Sequence, residues 1–292
     1  MSVAWRVDRR TVGWAMRSVS GVTFETGLGG VIIGLFILVA LAAPWLAPYD
    51  PHLFSGKPLE RPGPAHLLGT NDAGQDILSE LVYGARISLV VGLGAALGTV
   101  ILGSVVGSLA GYLGGWLDVL LMRLVDLMLT LPRLPLLILI SALIGAGLAP
   151  TVISISLLFW PATARVVRAE VQSLRSRGYV EMARSFGGGS GYILYRHILP
   201  AIAPLIAFGL VTAAGWAVVI EAGLAFLGLG DPTAKSWGLM MRYAMNLPGL
   251  MLTDRWLWWL LPPGACITLL ILALNLVGVG LEHRLHPRLV RR

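Results

Sequence analysis

Charge is missing from long stretches of this chain, and that limits the folds open to it. No Asp, Glu, Lys or Arg occurs from Thr26 to Tyr49, from Ile87 to Leu117 or from Leu134 to Ala164. A helix needs roughly 20 apolar residues to cross the hydrocarbon core of a bilayer, and each stretch exceeds that. Only 13% of the 292 residues are charged and 56% are hydrophobic, whereas a soluble domain carries about a quarter charged residues. The expected fold class is an all-α integral membrane protein with several spans. The first apolar run starts near Gly27 and is too long for a secretory signal. The single cysteine, Cys266, leaves no intrachain disulfide and no cysteine metal cluster.

Six spans account for the pattern. The first is dense from Val31 to Ala43, and the second lies between Arg86 and Asp118. The stretch Trp116 to Gly145 is the third, although it carries Arg123, Asp126 and Arg133. The run Gly145-Ala146-Gly147-Leu148-Ala149-Pro150 is rich in turn residues and separates it from a fourth. Ala201 to Gly223 and Trp256 to Leu281 are the fifth and sixth. Basic residues test this count. The N-terminal tail (Arg6, Arg9, Arg10, Arg17), the 165–196 stretch (Arg165, Arg168, Arg175, Arg177, Arg184, Arg196) and the C-terminus (Arg284, Arg288, Arg291, Arg292) hold 14. The 48–81 and 226–255 loops hold five: Lys57, Arg61, Lys235, Arg242 and Arg255. The positive-inside tendency puts the three basic segments, and so both termini, in the cytoplasm. The formal net charge of +7 therefore fits membrane orientation better than nucleic-acid binding.

Within the spans, Gly94, Gly98, Gly103, Gly107, Gly111 and Gly115 recur mostly four apart, which is one helix face and favours close helix packing. Arg123 and Asp126, three apart, can pair on one face. Arg133 lies deeper, between Pro132 and Pro135, where a kink is expected. These three are candidates for lining a path through the membrane, although the charges as a group are expected toward the span ends. Glu221 closes span five and is expected to be interfacial. Lys235-Ser236 lacks the glycines of a phosphate-binding loop, since Leu229 and Ala234 occupy both positions. The histidines His52, His66, His197, His283 and His286 are scattered, so no metal site is expected. No Ser/His/Asp arrangement has local support.

The polar segment 178–200 sits between apolar runs. Val171 to Phe186 predicts a helix broken only at Gly178. Gly187-Gly188-Gly189 predicts its end. Tyr192 to Ile198 predicts a second short helix, stopped by Pro200 as span five begins. The frame Glu181-x-Ala183-x3-Gly187, closing on Leu199-Pro200, resembles the EAA loop of permeases from binding-protein-dependent ABC importers, with Met182 in place of its second alanine. His197-Ile198-Leu199-Pro200 is similar to the form in the dipeptide, oligopeptide and nickel branch. Leu68-Gly69-Thr70-Asn71-Asp72 with Gly74-Gln75-Asp76, Gly84 to Leu89, Arg123 to Pro132, Gly223 to Gly230, Ser236-Trp237-Gly238, and Asn275-Leu276 with Gly278 and Pro287 resemble that branch in the same order. Asn71 and Gln75 replace an acidic and a basic residue. Val279, His283 and His286 stand where the branch usually has Asp, and the glycine run 187–191 is richer than usual.

The resemblance implies a type I ABC importer permease with six transmembrane helices in the cell inner membrane. Residues 1–25 and 283–292 would be cytoplasmic tails. Residues 26–83 would hold the first span and an extracytoplasmic loop, and 84–282 the transport domain, with a cytoplasmic coupling loop at about 171–197. Glu181, Ala183 and Gly187, with Tyr179, Arg184, Gly188, Leu199 and Pro200, would couple to the ATPase. Glu181 is the candidate for fixing the loop by polar contacts. Implied partners are a second homologous permease, two ATP-binding subunits, an extracytoplasmic solute-binding protein and membrane lipid, with no nucleic acid. ATP and Mg would belong to the partner subunits, and this chain would bind no cofactor and be no enzyme. The glycine face then has a second reading, contact with the partner permease. Di- or oligopeptides are the expected solutes. Nickel or another solute is the alternative within the family, and an ATP-independent secondary transporter the alternative outside it.

Overall fold

The computed structural model describes residues 9–285, and side chains over 24–282. The arginines of both tails, His283, His286 and Pro287 lie outside the described side chains. Helices carry the fold. The one β feature among the described residues is an isolated bridge between Thr70 and Asp76. The order is α1 (Arg9–Leu41), α2 (Ala43–Leu46), α3 (Ile77–Leu113), α4 (Gly115–Thr130), α5 (Arg133–Ile144), α6 (Leu148–Arg175), α7 (Gly178–Ser185), α8 (Ser190–Ile193), α9 (Leu199–Leu227), α10 (Trp237–Asn246), α11 (Trp256–Trp259) and α12 (Leu261–Leu285). Five helical segments are long and apolar enough to cross a membrane: Phe24–Leu41, Ile77–Leu113, Leu148–Arg175, Ser190–Leu227 and Trp256–Glu282. The pair α4 and α5 makes a sixth when its two bent halves are counted as one span.

Two proline effects depart from the expected spans. Span three is broken rather than kinked, with α4 and α5 meeting at 90°. Leu131 and Pro132 are extended, with ψ of 138° and 104°; for Leu131 the cause is the following proline ring, which disfavours helical backbone in the residue before it. Pro135 then falls in the first turn of α5, where its missing N–H is not needed. The second effect is at Pro200, which does not stop a helix. Leu194–Ile198 form a π-turn that joins α8 to α9, and the rod runs on from Ser190 to Leu227. A wider turn accommodates a proline that cannot donate to the ladder. The helix expected to start at Val171 is likewise the end of α6. Arg177 is extended (ψ 140°) and starts a separate α7, which places Gly178 at the first helical position rather than mid-helix, where it would be unfavourable.

The centre of the bundle is the contact between α3 and α6. A Cβ added at Gly103, Gly107 or Gly111 would lie 2.8, 2.5 and 2.8 Å from the carbonyl oxygens of Trp160, Ala164 and Arg168. Gly94 and Gly98 face Val152 and Ser156 on the same helix, and the Ser156 hydroxyl donates to the Ala95 carbonyl at 3.3 Å. The glycine face therefore packs within the chain. Gly115 is not part of it, with nothing within 4 Å of its Cβ position. On the other side of α3, Gly92 receives Val218 of α9, and α1 lies along α12.

Replacing Gly107 by Val should lower the apparent melting temperature of the detergent-solubilised protein, with a loss of about 1–3 kcal/mol from overpacking. Gly30→Ala, at a position with nothing within 4 Å, should not lower it.

Candidate functional site

One end of the bundle carries a folded knob. Residue α7 Val180 is buried with Ile193 and Ile198 against Tyr112 of α3, Val167, Val171 and Leu174 of α6, and Ile202 of α9. Apolar residues at these spacings fasten the knob to three long helices. Its turn explains the motif chemically. The Gly188 N–H donates to the Ala183 carbonyl at 2.9 Å and the Gly187 N–H to the Arg184 carbonyl at 3.0 Å, the paired bonds of a Schellman helix end. Gly187 holds φ +84°, a conformation that favours glycine. A Cβ on Gly188 would lie 2.6 Å from the Ala183 oxygen. Tyr179 and Tyr192 both approach the His197 ring, at centroid distances of 6.2 and 5.6 Å, and so tie α7 to the second limb. Leu199 packs against the same core, and Pro200 is exposed.

Two features of the knob's outer surface stand out. Phe186 and Tyr195 are 86% and 76% exposed, with Met182 and Tyr192 beside them in the sequence order of the knob. Glu181 is exposed, and its carboxylate makes no hydrogen bond or ion pair among the described residues. Within this chain it does not make the polar contacts expected from the sequence to fix the loop; its backbone carbonyl accepts from the Ser185 hydroxyl at 3.0 Å. Arg184 lies 6.0 Å from the centre of the Tyr112 ring.

Behind the knob, ion pairs join α4 to α6. Arg168 donates to both carboxylate oxygens of Asp118, at 2.5 and 2.6 Å, and Gln172 adds a bond at 3.3 Å. Arg165 pairs with Asp126 at 2.6 Å. Asp126 thus takes its cation from α6 and not from Arg123, which is exposed. Helix periodicity identifies neighbours on one helix, and here a neighbouring helix supplies the better donor.

Arg133 lies elsewhere. It lines a cavity of about 390 Å³ bounded by α3, α5, α6 and α9, together with Thr99, Phe159, Thr163, Thr212 and Trp216. Its guanidinium stands 5.4 Å from the centre of the Phe159 ring. Phe159 is eleven residues along α6 from Leu148, about 17 Å by helix rise. Of the three path candidates, only Arg133 borders the cavity, beside Phe159 in the interior of α6.

The far end of α3 is capped by the segment 47–76. Asp76 accepts from the Ser79 N–H and hydroxyl at 2.8 and 2.7 Å, a helix N-cap, and pairs with buried His66 at 2.9 Å. Lys235 donates to Glu80 at 2.6 Å and to Gln75 at 2.7 Å. Asn71 donates to the same two oxygens at 3.1 and 3.0 Å. The two positions that depart from the branch pattern, Asn71 and Gln75, are therefore partners in one network. Sequence reasoning missed Lys235. The signal was its rarity: only two lysines occur in the chain, and this one borders a span.

Glu221 is buried, 5% exposed, and not interfacial. Helix α9 continues to Leu227 and α10 folds back across it, so closely that a Cβ on Gly238 would lie 2.6 Å from the Ala222 Cα. The Ser88 hydroxyl donates to Glu221 at 3.4 Å. Trp237, fully buried in the same layer, donates to the Leu81 carbonyl at 2.9 Å.

This architecture is that of a multi-span membrane permease. Residues 103–291 match the family described as binding-protein-dependent transport system inner membrane component. Residues 28–64 match the N-terminal transmembrane domain of oligopeptide transport permease C. The chain is 39% identical over 273 residues to a di/tripeptide transport system permease protein, DppC, of Pseudomonas aeruginosa, covering 90% of this chain and 88% of that one. It is 37% identical over 278 residues to a putative peptide transport system permease protein of Brucella suis, covering 94% and 91%. A putative peptide permease protein of the same species is 35% identical over 263 residues, covering 89% and 86%. The chain belongs to the family of inner membrane components of binding-protein-dependent transport systems. It is a permease subunit, multi-pass in the inner membrane, as the loop motif implied.

Removing one member of the buried pair should be harmful. Lys235→Met is expected to destabilise the protein by about 3–5 kcal/mol, because it leaves Glu80 buried without its cation. The double variant Lys235→Met with Glu80→Gln should recover much of that loss in a thermal-unfolding cycle.

Proposed function

We propose that this chain is one of two permease subunits of an ATP-driven peptide importer. It supplies half of the path, and the 178–198 knob docks on an ATP-binding subunit. The observation that carries this reading is the knob itself. Its inner face is fixed to α3, α6 and α9, while its outer face presents Phe186 and Tyr195 beside a free Glu181. A rigid, amphipathic projection between spans is suited to a groove on a partner protein. The names of the relatives support peptides as the solute. The assembly comprises a second homologous permease, two ATP-binding subunits that hold ATP and Mg, and an extracytoplasmic solute-binding protein. The knob and both termini lie on the cytoplasmic side, and the loop 47–76 and α10 face the binding protein.

Coupling follows from the connections. When ATP closes the ATP-binding subunits, the knob is carried with them. Displacement of α7 is transmitted to α6 through the shared core. It reaches α4 through Asp118–Arg168 and Asp126–Arg165, and the broken span carries it to Arg133 at the cavity. Such a shift requires contacts that differ between the two states. Tyr179, Ala183, Arg184, Gly187, Gly188, Leu199 and Pro200 keep the knob in shape, and Glu181 is the polar contact to the partner. Arg123 has no part in the path, and Asp126 serves it as a link between helices.

Gly187→Val tests the reading. A β-branched residue at φ +84° is disfavoured by about 1–2 kcal/mol, and nothing lies within 4 Å of the added Cβ, so membrane insertion should be normal. ATP-driven uptake of labelled dipeptide into proteoliposomes should fall at least tenfold. Uptake at the wild-type rate would contradict the proposed coupling.

A further inference from the structure

The cavity between α3, α5, α6 and α9 has a chemistry of its own. Arg133 is the single charged residue among those that line it, and the polar remainder consists mainly of Thr99, Thr163, Thr212 and the indole of Trp216. Arg133 makes no hydrogen bond or ion pair among the described residues. Its guanidinium stands over the Phe159 ring at 5.4 Å, which steadies the group and leaves its N–H donors unused. An unpaired charge inside a membrane domain is costly, by roughly 2.5–3.5 kcal/mol on insertion scales. Its retention therefore points to a ligand or to water.

Two further observations favour an anion. Arg133 opens α5, the second half of the broken span, and no side chain caps that helix start. The N-terminal end of a half-helix at mid-membrane carries partial positive charge and suits an anionic group of a solute. Depth separates a solute from a lipid. Phe159 stands about 17 Å along α6 from Leu148, and Thr212 is near the midpoint of α9, too deep for a phosphate headgroup. Thr212 and Trp216 are exposed, so the cavity opens at its side.

From this geometry we infer that Arg133 is a carboxylate-binding site in the translocation path, on which the C-terminal carboxylate of a passing peptide rests. This rests on the peptide-permease reading. Arg133 makes a fork of two N–H···O bonds to the carboxylate, the start of α5 adds positive potential, and Phe159 backs the guanidinium. Peptides share that carboxylate whatever their side chains, so one arginine serves many sequences.

The test is charge-selective labelling of a cysteine in the cavity. In the assembled transporter, with Cys266→Ser to remove the native thiol, Thr212→Cys is reacted with an anionic and a cationic methanethiosulfonate. The anionic reagent should react about tenfold faster than in Arg133→Gln, as one nearby positive charge would cause. Arg133→Lys should keep the preference, which separates lost charge from lost folding. Dialanine should slow labelling, and dialanine amide should not. No anionic preference, a preference that survives Arg133→Gln, or equal protection by the acid and the amide would each overturn the assignment. The dipeptide-uptake assay reports independently on the importer reading, so either can fail while the other stands.

Discussion

The backbone-to-backbone contact of α3 and α6 is the constraint on which the other parts depend. Lipid tails are as apolar as leucine, so helices in a bilayer associate through close packing and polar contacts. Gly103, Gly107 and Gly111 allow the carbonyls of α6 to approach α3 directly. This fixed pair holds the knob core at one end, through Tyr112 and Val171. Near its middle, Thr99, Ile155 and Phe159 form one wall of the cavity. At the far end α3 carries Glu80, the anchor for Lys235. One rigid element therefore spans the distance between the proposed ATPase contact and the proposed solute contact.

Polar groups are placed around this element according to depth. Of the two ion pairs of α4 and α6, Asp126–Arg165 is exposed, at 54% and 56%, and the two-bond pair Asp118–Arg168 is less so, at 13% and 30%. An exposed pair contributes about 0–1 kcal/mol, so Asp126–Arg165 guides α4 more than it stabilises it. The pair Glu80–Lys235 is almost fully buried, at 2% and 10%, and holds α3 to the loop before α10, to which Gln75 joins the 47–76 segment. Arg133 differs from both, since it is at depth and without an anion. Buried Glu221 has at least the Ser88 hydroxyl as a hydrogen-bond donor, whereas the guanidinium of Arg133 borders an open cavity, a site where an anion is expected to arrive.

Much of this was legible in the sequence. Charge-free runs located the spans, and the turn at 145–150 separated the third from the fourth. Four-residue glycine spacing identified the α3 face. The frame from Glu181 to Gly187 identified the knob, and its Schellman end explains why glycine stands at 187. What stayed hidden depended on tertiary partners. Hydropathy placed Glu221 at a span end but could not show that α10 folds back over it. Helical spacing offered Arg123 to Asp126, while Arg165 of another helix makes the pair. The prolines were visible, but whether Pro132 kinks or breaks a span, and whether Pro200 ends one, depends on the backbone around them. Lys235 and Glu80 are far apart in sequence, and nothing local connects them.

The central claim is that the outer face of the knob meets an ATP-binding subunit. The most direct measurement is photocross-linking in native membranes, with a photoreactive amino acid in place of Phe186, the most exposed aromatic of the knob. The account predicts one main adduct, between this chain and an ATP-binding subunit, with a yield that changes when ATP is added. Adducts with lipid or with the solute-binding protein alone, from a preparation that retains its ATP-binding subunits, would contradict it.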